Sequence, residues 1–125
     1  MEITNPPQQV PYLTNTSGQK IELVVIDIGV WQMSTTGTKN VAHGLGSEIA
    51  KAISIEVTIL DDAQAVPLPL NKLYDDVDTD LVAGGILDVD DTNIYLIRNL
   101  SPLWLTSAYS SNVVNRGTIT IFKKV

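Results

Sequence analysis

One histidine, His43, stands in the run Val41-Ala42-His43-Gly44-Leu45-Gly46. As a general base it would need a nucleophile beside it and a third group to orient it. Ser47 is near in sequence, but the glycines of a nucleophile elbow would fall at positions occupied by Leu45 and Ile49. The residues read better as a polar side chain at a strand end followed by a glycine-rich turn. In a homotrimer, three copies of His43 meeting on the axis would form a metal site. A second kind of chemistry sits in the carboxylates. Nine of the fourteen lie between Asp61 and Asp91, against a single base, Lys72. The spacing Asp76-Val77-Asp78-Thr79-Asp80 matches the opening of a calcium loop, but its sixth position is Leu81 and its twelfth Leu87, which excludes an EF-hand. A calcium site of another kind, using Asp76, Asp78 and Asp80, stays open beside the plainer reading of a solvated acidic loop. Paired carboxylates for glycoside cleavage are compatible with the composition. Only seven aromatic residues are present. Trp31, Tyr95, Trp104 and Tyr109 are the candidates to stack on a sugar. Gly84-Gly85 matches no phosphate loop, since no Lys-Ser/Thr follows. Arg98 and Arg116, the only arginines, are expected at strand ends or turns, within reach of the acidic cluster in surface pairs worth about 0–1 kcal/mol.

The elements that would position these groups are β-strands. Ile21–Ile28 is a β-branched run between Gly18 and Gly29, and Ile53–Leu60 alternates, with Ile53, Ile55, Val57 and Ile59 expected on the core side. Asn93–Arg98 follows the turn-forming Asp90-Asp91-Thr92, and Thr118–Phe122 follows Asn115-Arg116-Gly117. Shorter strands are expected at Trp31–Met33, Lys39–Ala42, Val66–Leu70, Gly85–Val89 and Leu103–Thr106. Ser47–Ala52 predicts one helical turn capped by Ser47. The whole predicts an all-β fold, an antiparallel β-sandwich, jelly-roll-like or a small barrel, with an extended N-terminal arm.

A chain of 125 residues fits one domain with its own core. It has no cysteine, so disulfides and thiolate metal sites are excluded. A net charge of −6 argues against nucleic acid as partner. The longest apolar stretch, Leu81–Leu87, is far shorter than the ~20 residues that span a bilayer, and no secretory signal is expected. A mean hydropathy of +0.14 without a membrane span points to apolar surface covered by a partner or by self-association. Residues 1–20 hold three of the six prolines, with Asn, Gln, Thr and Ser between them. They read as an extended arm ahead of a domain at 21–125. Pro6, Pro7, Val10, Pro11, Tyr12 and Leu13 combine a stiff backbone with the arm's apolar side chains and are the expected anchoring contact.

Several pieces occur in a telling order: Trp31-Gln32-Met33, Thr35-Thr36, Val41-Ala42-His43-Gly44-Leu45, the run Ile53–Leu60 closed by Asp61-Asp62, Gly85–Arg98, Tyr109-Ser110-Ser111, and Asn115-Arg116-Gly117-Thr118-Ile119-Thr120-Ile121. Across about residues 28–122 this resembles a small β domain of the fibre and appendage proteins of tailed bacteriophages. The resemblance implies a non-enzymatic virion structural protein, made in the host bacterial cytoplasm, commonly a homotrimer, that decorates the particle or contacts the host surface, including its glycans. Two departures matter. Long fibres carry such a domain on a large shaft, whereas here a 20-residue arm precedes it, so a separate subunit attached to a head, neck or tail is expected. The ending Phe122-Lys123-Lys124-Val125 also lacks the aromatic and acidic character expected there. The alternative from another class is a carbohydrate-binding module, calcium-dependent through its acidic loop.

Overall fold

The computed structural model describes residues 12–14, 18–71, 74–76 and 81–125. Its organising strand is β10 (Gly117–Lys124), in which every second residue from Gly117 to Lys123 is buried. That alternation places Ile119 and Ile121 on a core face and Thr118, Thr120 and Phe122 on the other. β10 pairs antiparallel with β2 (Lys20–Asp27) on one side and β4 (Ala52–Leu60) on the other. β1 (Tyr12–Thr14) extends this sheet beyond β2, and β5 (Pro67–Pro69) beyond β4, giving five strands in the order β1-β2-β10-β4-β5. Pro67 and Pro69 suit an edge strand, where no further neighbour needs their missing N–H groups.

A second antiparallel sheet has the order β3-β9-β8, from β3 (Thr38–Ala42), β8 (Gly85–Val89) and β9 (Asn93–Arg98). Ile94 and Leu96 of its central strand share one core cluster with Val57, Ile59, Ile119 and Ile121 of the first sheet. The two sheets do not close into a barrel, so the sandwich is the form realised. β6 (Tyr74–Asp76) and β7 (Leu81–Ala83) make a separate two-stranded pair.

Several local expectations change. Ile53 is 56% exposed rather than in the core. Phe122 pairs with Ser54 but Lys123 pairs with Ala52, so Ile53 is the extra residue of a bulge and drops out of the alternation. Trp31–Met33 forms no strand: Val30 makes an isolated bridge to Asn115 and the chain then turns. Leu103–Thr106 is likewise a turn, closed by Trp104 N–H on Ser101 O and Leu105 N–H on Pro102 O. The expected helical turn is a 3-10 helix, Gly46–Lys51, whose N-cap is Leu45 and not Ser47, with no side-chain cap. Tyr12 and Leu13, expected in the arm, lie in β1, in register with Glu22 and Ile21 of the chain's own sheet.

Candidate functional site

The chain passes from the first sheet to the second through residues 28–37, which carry Trp31 and Met33 fully into the core. Outside any ladder, the backbone groups at these buried residues need partners. Two arginines supply them. Arg116, 0% exposed, donates from Nε to Trp31 O (2.9 Å), from Nη1 to Leu60 O (3.0 Å), and from Nη2 to Ser111 O (3.3 Å) and Asp62 Oδ1 (2.9 Å). Its guanidinium also lies 5.5 Å from the centre of the Tyr109 ring. Arg98 donates from Nε to Met33 O (2.6 Å) and from Nη1 to Asn99 O (3.3 Å). The planar fork of a guanidinium suits this work, since its N–H groups point at several carbonyls at once. The backbone of Arg116 joins in: its N–H donates to Gly29 O and its carbonyl accepts from Leu60 N–H. Asn115 Oδ1 accepts from Gly29 N–H at 2.7 Å.

The expected surface ion pair is therefore a half-buried one. Arg116 pairs with Asp62, a member of the acidic cluster, whose side chain is 28% exposed. Burial pushes the Asp62 carboxyl up, but the Ser111 N–H and the Arg116 guanidinium outweigh it and hold the carboxyl below its ordinary value. Asp62 also fixes the loop at 108–111: its N–H donates to Ala108 O, and both its carboxylate oxygens accept from Ser111 N–H.

The second polar centre lies at the start of β9. His43 is 5% exposed, and its Nδ1 accepts from Leu45 N–H at 3.0 Å. Nε2 therefore carries the proton and donates to Asp90 O at 2.7 Å. The Asp90 carboxylate accepts from Thr92 N–H, Asn93 N–H and the Tyr95 hydroxyl. The Tyr95 hydroxyl, then the two N–H groups, hold this carboxyl below its ordinary value, and the same bond raises the Tyr95 phenol.

The sequence-predicted site residues fall into three groups. Trp31, Trp104 and Tyr109 are core residues, at 2%, 0% and 2% exposed, so their rings have no free face for a sugar. Trp104 stacks edge-on against Tyr109 at 5.1 Å and donates from Nε1 to Gly84 O. Tyr95 alone of the four reaches the surface, half-buried on the outer face of the second sheet. His43 has both ring nitrogens engaged, Nδ1 within its own turn and Nε2 on Asp90 O in the turn before β9, so neither nitrogen is free to face a metal on an axis. Among the described residues no three His, Asp or Glu side chains group as metal ligands. Asp76 is in β6, while Asp78 and Asp80 lie outside the described residues, as do Pro6, Pro7, Val10 and Pro11. Residues that sequence reasoning passed over include Asn115 and Asp62, which organise the junction. Asp62 stands out in the sequence only as one member of the acidic cluster and at the close of the run Ile53–Leu60.

The motifs behind the resemblance thus converge. Trp31, Met33, Asn115 and Arg116 meet where the chain crosses between sheets, and His43 fixes the turn after β3. No protein-family model matches this sequence, and no curated protein or solved structure matches it either.

Proposed function

We propose that this chain is a non-enzymatic structural subunit of a tailed-bacteriophage particle, an appendage, head-fibre or tail-fibre component that displays its β domain outward. The observation that carries this reading is the convergence of the motif residues. Arg116 bonds the carbonyl of Trp31, 85 positions away, and Trp31 and Met33 enter the core that the two sheets share. The family resemblance therefore rests on residues that build the domain, which is what a shared fold asks of them. Antiparallel ladders pinned by a buried arginine suit a part that bears load. The N-terminal segment is the proposed attachment to other virion proteins, and repetition around a symmetric particle would turn a weak contact into a firm one.

Immunogold electron microscopy of purified particles, with antibody to residues 21–125, tests the reading. Label on head or tail is expected. Particles that stay unlabelled while the epitope is accessible would remove it. Removal of residues 1–11 should abolish incorporation while the thermal unfolding of the remaining chain stays cooperative.

A second reading, a glycan-binding module, is favoured by one observation. The Tyr95 ring sits on an outer sheet face beside Asn40 and Asp88, its cross-strand partners. An aromatic among amide and carboxylate groups is a sugar-binding composition. Calorimetric titration with host surface glycans, with and without calcium, separates the two readings. Binding lost in Tyr95→Ala would favour the module.

A further inference from the structure

The outer face of the five-stranded sheet carries apolar side chains with nothing of the described core on them. Register fixes its membership. Across β2, β10 and β4 the outward rows are Asp27–Thr118–Thr58, Val25–Thr120–Glu56 and Leu23–Phe122–Ser54, followed by Ile21–Lys124. Val25 is 57% and Leu23 36% exposed, Phe122 is half-buried, and the bulge residue Ile53 adds a further 56%-exposed side chain beside the Phe122 row. Ile21 is buried yet stands outside the core cluster. Apolar, threonine and serine side chains fill the middle of the face, with one carboxylate, Glu56, on the β4 side. Its other charges are at the ends: Asp27 at one, Lys124 at the other.

We infer that this face seats a second copy of the same chain about a two-fold axis lying across the strands. The face carries charges that complement one another across that axis. Such an axis reverses the row order, so that Val25 lies over Leu23 of the partner subunit and Leu23 over the partner's Val25. The same operation brings Asp27 to the row that holds Lys124 of the partner subunit, twice by symmetry. An isologous contact needs a patch complementary to itself, and this one is. A two-fold running along the strands would instead set Lys124 against the partner's Lys124 and Val25 against the partner's Glu56. Copies aligned in parallel around a three-fold would gather the Asp27 ends together. Both arrangements oppose like charges that the strand-reversing axis pairs.

This surface deepens the reading of the chain as an assembling subunit, and its test is independent of particle location. Sedimentation equilibrium of the purified full chain should show a dimer. Val25→Lys, an exposed substitution, should weaken dimerisation by about tenfold or more. Asp27→Lys and Lys124→Asp should each weaken it, and the double exchange should restore it, because the pairing is regained with its sign reversed. Unchanged thermal unfolding of each monomer would exclude misfolding as the cause. A full chain that stays monomeric overturns the inference and leaves the face to residues 1–11 or to another protein. A dimer indifferent to Val25→Lys, or a charge exchange that fails to rescue, overturns it as well. Failure of any of these leaves the immunogold result standing, and absence of label leaves the dimer standing.

Discussion

Arg116 and Arg98 reach the same stretch of backbone from opposite sheets. Arg116 stands just before β10, the central strand of the larger sheet, and takes the carbonyl of Trp31. Arg98 ends β9, the central strand of the smaller sheet, and takes the carbonyl of Met33. Their settings differ. Arg116 ties residues 31, 60, 62 and 111 to one group, and its charge is met by the Asp62 carboxylate. The described side-chain bonds of Arg98 go to two carbonyls, one of them its own neighbour's. The larger sheet thus owns a hub where three parts of the chain meet, around residues 31, 60–62 and 111–116. The smaller sheet has a clamp on one loop. Loss of the hub should loosen the whole sandwich, and loss of the clamp only one corner of it.

A glycine beside each arginine allows the harshest test. Gly117 has φ +145, and a Cβ there would lie 1.9 Å from Thr58 O. A backbone carbonyl in a central ladder has nowhere to go, so Gly117→Ala should destabilise by about 4 kcal/mol or more, near the limit for a domain of this size. Gly85 pairs with Arg98, and its Cβ would lie 2.4 Å from Ile97 O and 2.8 Å from the Leu70 side chain. Gly85 is not at positive φ, and β8 is an edge strand that has room to shift. Gly85→Ala should therefore cost less than Gly117→Ala. Urea unfolding of both variants reads this directly, and an equal loss would remove the ranking of the two sheets.

Arg116→Ala comes next. It strands the Trp31 and Leu60 carbonyls and leaves Asp62 without its cation, for an expected loss of about 3–5 kcal/mol. Arg98→Ala should cost about 1–3 kcal/mol, the range for a polar group left unsatisfied at one site. If the two losses proved equal in chemical denaturation, the hub would be no more than a second clamp.

How much of this could be read from the chain follows the same division. Asn93–Arg98 and Gly85–Val89 are strands at their expected bounds, because a strand is a local pattern and the turn residues around it are local too. Trp31, Trp104 and Tyr109 were open to two readings, since an aromatic in a loop looks the same in sequence whether it faces solvent or core. Ile53 left its expected face because the bulge depends on how Lys123 pairs, 70 positions away. The Arg116 hub joins segments separated by as many as 85 positions. Nothing in the Asn115-Arg116-Gly117 triplet alone says which carbonyls will be waiting.

Asp62→Asn probes the hub more gently. The amide keeps the size and one acceptor but removes the charge, so about 1–2 kcal/mol should be lost at neutral pH. The sign with pH follows from a carboxyl held below its ordinary value of 3.8 in the fold. Its contribution is present above that value and fades as pH falls through the lower, folded value. The gap between wild type and Asp62→Asn should hold from neutral pH down to about 4 and close under more acidic conditions. A gap independent of pH would mean that Asp62 acts through its shape and not its charge.

Tyr95→Phe is the smallest change and the sharpest control for the smaller sheet. The phenol and the Asp90 carboxylate face water, so the bond between them should leave unfolding unchanged within error. Its effect belongs to titration. The Tyr95 hydroxyl is the first cause holding the Asp90 carboxyl below 3.8, with the Asn93 and Thr92 N–H groups behind it. Without the hydroxyl, the Asp90 carboxyl carbon followed by NMR should titrate at higher pH, still short of the ordinary value because the two backbone donors remain. A midpoint that does not move would show that the turn alone sets Asp90. A measurable fall in stability would show that the outer face of the smaller sheet bears load as the arginine hub does, and the contrast between the sheets would be lost.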